Sequence, residues 1–146
     1  MSQENVEIVR RLAPPSGSDL TRLFADDAGA ADRLAAIRPH FDAAFEFESH
    51  ATGGNLGRGS GLEELAIAWR EWMSPFETWW TEIERFVDVD DERVLVLLRD
   101  HVRPREGESE IESLGCNVWT LRDGKVARID FYPIRSEGLE AAGLSE

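Results

Sequence analysis

Apolar residues in the first half of the chain recur with the spacing of amphipathic helices. This spacing predicts four helical segments: one that Ser2 caps and Pro14 ends, a short one at Leu20–Phe24, one over Ala30–Ile37 and one over Gly61–Ser74. Proline lies just after each of the three longer segments, and proline cannot continue a helix. The last segment has the clearest amphipathic pattern, because Leu65, Trp69 and Met73 share one face.

The period of the pattern changes to two at Phe41 and again after Pro75, which predicts strands. The predicted strands are Phe41–Ser49, Glu77–Asp88, Arg93–Arg103, Glu110–Arg122 and Lys125–Pro133. Between the last two, Asp123-Gly124 is a strong hairpin signal. Residues 52–61 hold five of the twelve glycines and predict a mobile loop, and residues 136–142 predict a short tail helix. Helices followed by four long antiparallel strands predict one α+β domain over residues 1–146.

The pairing of the two central strands decides which side chains face the interior. A turn centred near Gly107 places Leu97 opposite Asn117. One face of the pair then carries Leu95, Leu97, Arg99, His101, Asn117 and Trp119, with Asp100 and Cys116 on the other. A shift of this register by one residue would reverse these face assignments. Both faces mix apolar and polar residues, so we expect the helices to cover one face and a second subunit to cover the other.

Charge and composition narrow the range of partners. The formal net charge is −13 and the sequence pI is about 4.6, so we expect no binding to nucleic acid or to anionic membranes. The single cysteine, Cys116, cannot form an internal disulfide. No apolar run reaches the roughly 18–20 residues of a membrane span. The first residues lack an apolar signal core, and we therefore expect a cytoplasmic protein.

Five segments resemble the SnoaL-like members of the nuclear-transport-factor-2-like superfamily. They are ENVEIVRRL, GLEELAIAWREWMSPFETWW, ERVLVLLRD, VWTLRDGKVARIDFY and EGLEAAGL, which together extend over nearly the whole chain. The resemblance implies a cone, in which a curved antiparallel sheet wraps around the N-terminal helices as in a cystatin-like roll. It also implies a deep pocket and a homodimer through the sheet. The region from Leu12 to Phe41 is longer than the connection that is usual in this superfamily.

The superfamily includes ketosteroid isomerases, polyketide cyclases and limonene epoxide hydrolases, so the fold alone does not fix the reaction. Phe47 aligns approximately with the proton-abstracting carboxylate of the isomerases. A phenylalanine cannot act as a base, so isomerase chemistry of that design is not expected. Asn117 matches, within a residue, the isomerase acid that donates to the oxyanion, and its amide is able to donate such a bond. The alternative is that backbone atoms or Arg99 satisfy this amide.

Arg99 resembles the inward arginine of the epoxide hydrolases. That reaction also needs inward aspartates, but Asp100 lies on the face opposite Arg99. Asp130 falls between Ile129 and Phe131, which we expect to face the pocket, so we place both aspartates at the surface or an interface. Arg99 itself is expected either to pair with a protein carboxylate or to bind an anion or carbonyl group, because an unpaired buried charge is prohibitive.

The remaining candidates are weaker. His101 is a possible acid or base near the pocket mouth, so the candidate catalytic residues are His101, Asn117 and Arg99. The three histidines lack the spacing of metal ligands, and the glycine-rich loop lacks the lysine of a phosphate loop. We therefore expect neither a metal nor a cofactor.

Five tryptophans in 146 residues predict an apolar pocket with a few polar groups. The predicted ligand-binding residues are Phe47, Trp69, Arg99, Asn117, Trp119 and Phe131. The sequence favours binding of a small, largely hydrophobic molecule that bears a carbonyl or carboxylate. The alternatives are an isomerase, cyclase or hydrolase acting on a small hydrophobic substrate, and a structural protein whose cavity is filled by side chains.

Overall fold

The computed structural model describes residues 2–51, 57–107 and 109–144. The helices in these ranges are α1 (Ser2–Leu12), α2 (Asp27–Ile37), α3 (Leu62–Met73) and α4 (Arg135–Ala141), with 3-10 turns at Leu20–Arg22 and Arg38–His40. The strands are β1 (Phe41–Ser49), β2 (Arg58–Ser60), β3 (Phe76–Asp88), β4 (Arg93–Pro104), β5 (Ile111–Arg122) and β6 (Lys125–Tyr132). None of the helices in these ranges has both the length and the apolarity that crossing a membrane requires.

The six strands form one curved, open sheet in the order β2-β1-β6-β5-β4-β3. All neighbouring pairs are antiparallel except β1 and β6, so the sheet is mixed and not purely antiparallel as predicted. The pairing shifts register between Ile83 and Arg85 and between Thr120 and Leu121. Such irregularities bend strands and increase their twist. The predicted α+β cone is confirmed.

Two elements differ from the prediction. Residues 58–60, which were predicted as part of the loop, pair with β1, and residues 52–56 of that loop lie outside the described residues. Gly59 permits this pairing because a Cβ at that position would overlap the ring of Phe47. The predicted helix at Leu20–Phe24 is only a 3-10 turn over Leu20–Arg22, in which the carboxylate of Asp19 accepts the N–H of Thr21.

The pairing of β4 with β5 is one residue away from the predicted register. Asn117 lies opposite Val96, and Cys116 lies opposite Leu97. The centre of the pairing therefore falls between residues 106 and 107 and not at Gly107. The consequence is that Asp100 shares the concave face with Asn117, while Arg99 moves to the convex face.

The helices and the sheet enclose two apolar clusters. Helices α1, α2 and α3 pack into the concave face around buried residues that include Phe45, Val96 and Trp119. On the convex face, Leu139 of α4 packs against a smaller cluster that includes Cys116. Part of the face that was expected to need a second subunit is thus covered by the chain itself.

Candidate functional site

The concave face and the helices leave a cavity with two chambers. The wide chamber has a volume of about 480 Å³, and the narrow chamber has a volume of about 90 Å³. Five residues line both chambers, which therefore adjoin: Leu20, Trp69, Leu98, Asn117 and Phe131. The walls are mostly aromatic and aliphatic, as is usual for sites that bind small molecules.

Asp100 is a buried carboxylate in the wall of the wide chamber. It is 5% exposed and accepts a 2.6 Å hydrogen bond from Thr81 Oγ1. Burial raises the pKa of Asp100, because desolvation disfavours the charged form more than its neighbours favour it. The hydrogen bond from Thr81 acts in the opposite direction. A carboxyl group with a raised pKa inside an apolar cavity is suited to accept and return a proton.

Two indole N–H groups at the cavity are buried without a hydrogen-bond partner among the described residues. They belong to Trp79, which lines the wide chamber, and to Trp119, which lines the narrow one. The indole of Trp79 lies near enough to the Asp100 carboxylate to lower its pKa. The distance and angle between the indole N–H and that carboxylate nevertheless fall short of a hydrogen bond. Buried donors without a partner are rare and unfavourable. A ligand oxygen is one group that would satisfy them.

Asn117 lines both chambers, and its side chain is half-buried. The described residues include no hydrogen-bond partner for its amide, so the alternative that Arg99 satisfies it is wrong. The register explains this, since Arg99 lies on the other face of the sheet. Asn117 therefore offers both a donor and an acceptor to the cavity.

Three of the four aromatic residues that were predicted to bind the ligand line the cavity, and the fourth does not. Trp69, Trp119 and Phe131 line the cavity, and their binding of a ligand stays a prediction. The indole N–H of Trp69 is already used, because it donates to the Leu20 carbonyl over 2.8 Å. Phe47 is buried behind the lining residues, with its ring 5.9 Å from that of Trp72. It lines neither chamber.

The predicted pocket position of Arg99 is wrong. Its Nε lies 3.0 Å from Glu84 Oε2, and its Nη1 forms an ion pair with Glu112. These hydrogen bonds raise the pKa of Arg99, with Glu112 as the larger cause. The alternative of an arginine paired with protein carboxylates is the one that the structure supports.

The predicted position of His101 at the pocket mouth is also wrong. Its ring stacks on Trp80 on the convex face, with ring centroids 3.8 Å apart. Its Nε2 lies 2.7 Å from Glu82 Oε2, and its Nδ1 lies 3.3 Å from Glu110 Oε1. The hydrogen bond with Glu82 raises the pKa of His101. This histidine faces away from the cavity.

Asp130 lies on the convex face, away from the cavity. It lies 2.9 Å from His50 Nε2 and 2.8 Å from Arg128 Nη2, which also binds Glu48. The ligand atoms of Glu48, His50 and Asp130 are within 4.8 Å of one another, close enough to hold a metal ion. Arg128 already provides the positive charge that these carboxylates need. The absence of a metal stays a prediction.

Sequence reasoning missed Asp100, Arg33 and Trp79, all of which line the cavity. Asp100 was placed on the opposite face because of the register of β4 and β5. Arg33 was missed because it lies in an alanine-rich helix, where it shares the spacing of the buried Ala30 and Leu34. Arg33 lines the narrow chamber. An arginine within an apolar stripe was the signal in the sequence that would have identified it.

Known proteins resemble this chain in sequence and in fold. The sequence profile of the SnoaL-like domain matches residues 19–129. A putative SnoaL-like polyketide cyclase from Jannaschia sp. CCS1 superposes with a TM-score of 0.63 at 19% identity, over 89% of this chain and 85% of that one. An NTF2-like protein of unknown function from Burkholderia pseudomallei gives 0.65 at 15% identity, over 94% and 95%. TerC, co-crystallised with polyporic acid, gives 0.64 at 15% identity, over 95% and 97%. No curated protein matches the sequence significantly.

Proposed function

The chain belongs to the SnoaL-like family, and we propose that its cavity binds a small, largely hydrophobic molecule that bears a carbonyl or carboxylate group. The observation that carries this proposal is a set of polar groups, without partners among the described residues, in a mostly apolar cavity: the Asn117 amide and the indole N–H groups of Trp79 and Trp119. A carbonyl oxygen accepts hydrogen bonds from such donors while the apolar body of the ligand fills the wide chamber. TerC, which has a similar fold, was crystallised with a small molecule, and this supports the proposal.

Two matched probes test this proposal. Acetylnaphthalene carries a carbonyl group, and ethylnaphthalene has nearly the same shape without it. We expect isothermal titration calorimetry to show tighter binding of acetylnaphthalene. We also expect the Asn117→Leu variant to reduce that preference about fivefold to tenfold, since one hydrogen bond contributes about 1 kcal/mol. Asn5→Leu, at a helix position outside the cavity, is the control. Equal affinity for both probes would contradict a carbonyl site.

Asp100 favours a second candidate function, proton transfer by a SnoaL-like enzyme. In this scheme the Asp100 carboxylate removes a proton from the carbon next to the ligand carbonyl. The electron pair of the broken C–H bond moves to the carbonyl oxygen, where N–H groups of the cavity stabilise the enolate. Return of the proton to a carbon completes the cycle. The raised pKa of Asp100 is compatible with both steps.

Deuterium exchange tests the proton transfer. In deuterium oxide the protein should speed the exchange of the acetyl protons of acetylnaphthalene, as followed by NMR. Asp100→Asn should lower that rate at least a hundredfold, because general-base catalysis typically contributes a factor of 10²–10⁴. Asp88→Asn, an exposed change in the same sheet, should leave the rate unchanged. A wild-type rate equal to that of the buffer would limit the function to binding.

We also propose that the protein forms a homodimer through the convex face of the sheet. Leu114 of β5, which pairs with Arg99 of that face, is 40% exposed there, and a partner that covers it would remove apolar surface from water. Light scattering on the eluting protein should give twice the monomer mass, and Leu114→Glu should shift the mass towards the monomer. A monomeric wild type would refute the dimer. The cytoplasmic location stays a prediction.

A further inference from the structure

A basic cleft adjoins the narrow chamber where α1 ends. We use the name basic cleft for the space of about 450 Å³ whose charged lining residues are Arg10, Arg11 and Arg33. No aspartate or glutamate is among its lining residues within the described ranges, although the whole chain has a net charge of −13. A cleft lined by one sign of charge in a protein of the opposite sign concentrates a positive field locally.

Arg33 is the unusual member of this group. It is half-buried, and desolvation alone lowers its pKa, without any opposing hydrogen bond or charge from the described residues. The contact that its guanidinium does make is with the ring of Phe24, at 5.9 Å from the centroid. The acidic groups at the start of α2 are used elsewhere, since Asp26 accepts the Gly29 N–H and Asp27 pairs with Arg70 at 3.0 Å.

The other two arginines have an ordinary explanation that Arg33 lacks. Arg10 and Arg11 belong to the last turn of α1, where positive side chains favourably interact with the helix dipole. Arg10 also lies 3.5 Å from Glu7 and over the ring of Phe86. Arg33 is in the interior of its helix, on the stripe of Ala30 and Leu34, so the dipole does not account for it.

The position of Arg33 connects the basic cleft with the cavity. Arg33 lines both the cleft and the narrow chamber, together with Leu12, Pro15, Ile37 and Ile83. The narrow chamber in turn shares Asn117 with the wide chamber. A molecule that extends from the cleft into the cavity thus meets the guanidinium of Arg33 first and the Asn117 amide where the two chambers adjoin.

We propose that Arg33 binds the carboxylate of the ligand, so that the physiological ligand is an apolar carboxylic acid whose charged end lies in the basic cleft. This inference rests on the proposed function, because it needs the cavity to hold the apolar body. A carboxylate accepts two parallel hydrogen bonds from a guanidinium, which suits an arginine that pairs with no carboxylate among the described residues. It also removes the cost of an unpaired, partly desolvated charge.

The test adds naphthoate, which carries a carboxylate, to the neutral acetylnaphthalene. By isothermal titration calorimetry the wild type should bind naphthoate at least about tenfold more tightly than acetylnaphthalene, as expected for charge-assisted hydrogen bonds. Arg33→Gln should remove this preference, so that the variant binds naphthoate and acetylnaphthalene with affinities within about twofold of each other. Arg33→Lys, which keeps the charge but not the planar fork, should keep part of the preference. Arg103→Gln, an exposed change of the same charge, should have no effect.

A salt titration on the wild type does not depend on the folding of any variant. The affinity for naphthoate should fall as sodium chloride is added, while that for acetylnaphthalene should not, because ions screen only the charged contact. Binding of acetylnaphthalene without a preference for naphthoate, or a preference that survives Arg33→Gln, would overturn the role of Arg33 and leave the carbonyl site standing. Binding of neither probe would overturn the cavity proposal and this inference with it.

Discussion

Thr81 Oγ1 donates a 2.6 Å hydrogen bond to Asp100 Oδ1, and the two residues face each other directly across β3 and β4. Each residue is 5% exposed. Burial raises the pKa of Asp100, and the hydrogen bond from Thr81 is the largest of the effects that lower it. The protonation of this carboxyl group therefore depends on a balance between burial, which raises its pKa, and nearby groups that lower it, the Thr81 hydroxyl most of all.

Removal of the Thr81 hydroxyl should change both the pKa of Asp100 and the stability of the protein. Thr81→Val keeps the shape of the side chain but takes away the donor, so the pKa of Asp100 should rise further. The free energy of unfolding at about pH 7 should fall by about 1–3 kcal/mol, because a buried acceptor loses its partner. NMR titration of the Asp100 carboxyl carbon and urea unfolding measure the two effects. Thr81→Ser retains the hydroxyl, and a Thr81→Ser protein as unstable as Thr81→Val would contradict the importance of the hydrogen bond.

The raised pKa of Asp100 has a defined effect on stability. The folded protein holds this proton to a higher pH than the unfolded chain, whose carboxyl titrates near 3.8. The contribution of Asp100 is therefore fully present below that value and is lost as the pH rises through the folded-state pKa. Asp100→Asn does not titrate, so its stability relative to the wild type should increase with pH across this window. Parallel curves for the two proteins, measured by urea unfolding, would show that the pKa of Asp100 is not raised.

His101 should make a second pH-dependent contribution, on the opposite face of the sheet. Its pKa is raised above the usual 6.5, first by the hydrogen bond with Glu82 and then by the charges of Glu82, Glu110 and Glu112. Its stabilising contribution is present below about pH 6.5 and is lost as the pH rises through the folded-state pKa. Glu82→Gln should lower the pKa of His101, as measured by NMR of the imidazole protons. Glu77→Gln, on the same strand, is the control and should leave the titration unchanged.

Two turns flank β5, and they explain which residues of the concave face could be predicted from the sequence. At Asp123 and Gly124 the φ angles are +53° and +78°, the left-handed values that a two-residue hairpin turn requires and that an Asp-Gly pair favours. This turn pairs Arg122 with Lys125, and the irregularity between Thr120 and Leu121 then places Trp119 opposite Ile129 and Asn117 opposite Phe131. Trp119 and Phe131 lie on the inward side, as the alternation within each strand predicted.

The turn between β4 and β5 contains no comparable signal. The longer connection after Pro104 allows several pairings, and a shift of one residue exchanges the two faces of a strand. This is why Arg99 and His101 were expected in the pocket and Asp100 was not. Arg33 was missed for a different reason: alanine contributes little to an amphipathic pattern, so the inward stripe of α2 is weak, and Arg33 is recognised only by its spacing from Ala30 and Leu34.

The contact of α4 with the convex face of the sheet should depend on one glycine. A Cβ atom at Gly138 would overlap the sulfur of Cys116 and come within 3.0 Å of the ring of Tyr132. Gly138→Ala should therefore lower the free energy of unfolding by about 1–3 kcal/mol, the usual effect of overpacking. Ser136→Ala, exposed on the same helix, should change it by less than about 0.5 kcal/mol. Cys116→Ala in the Gly138→Ala background makes room for the added methyl group and should restore part of the loss. If urea unfolding showed Gly138→Ala to be as stable as the wild type, α4 would not pack on Cys116 in solution.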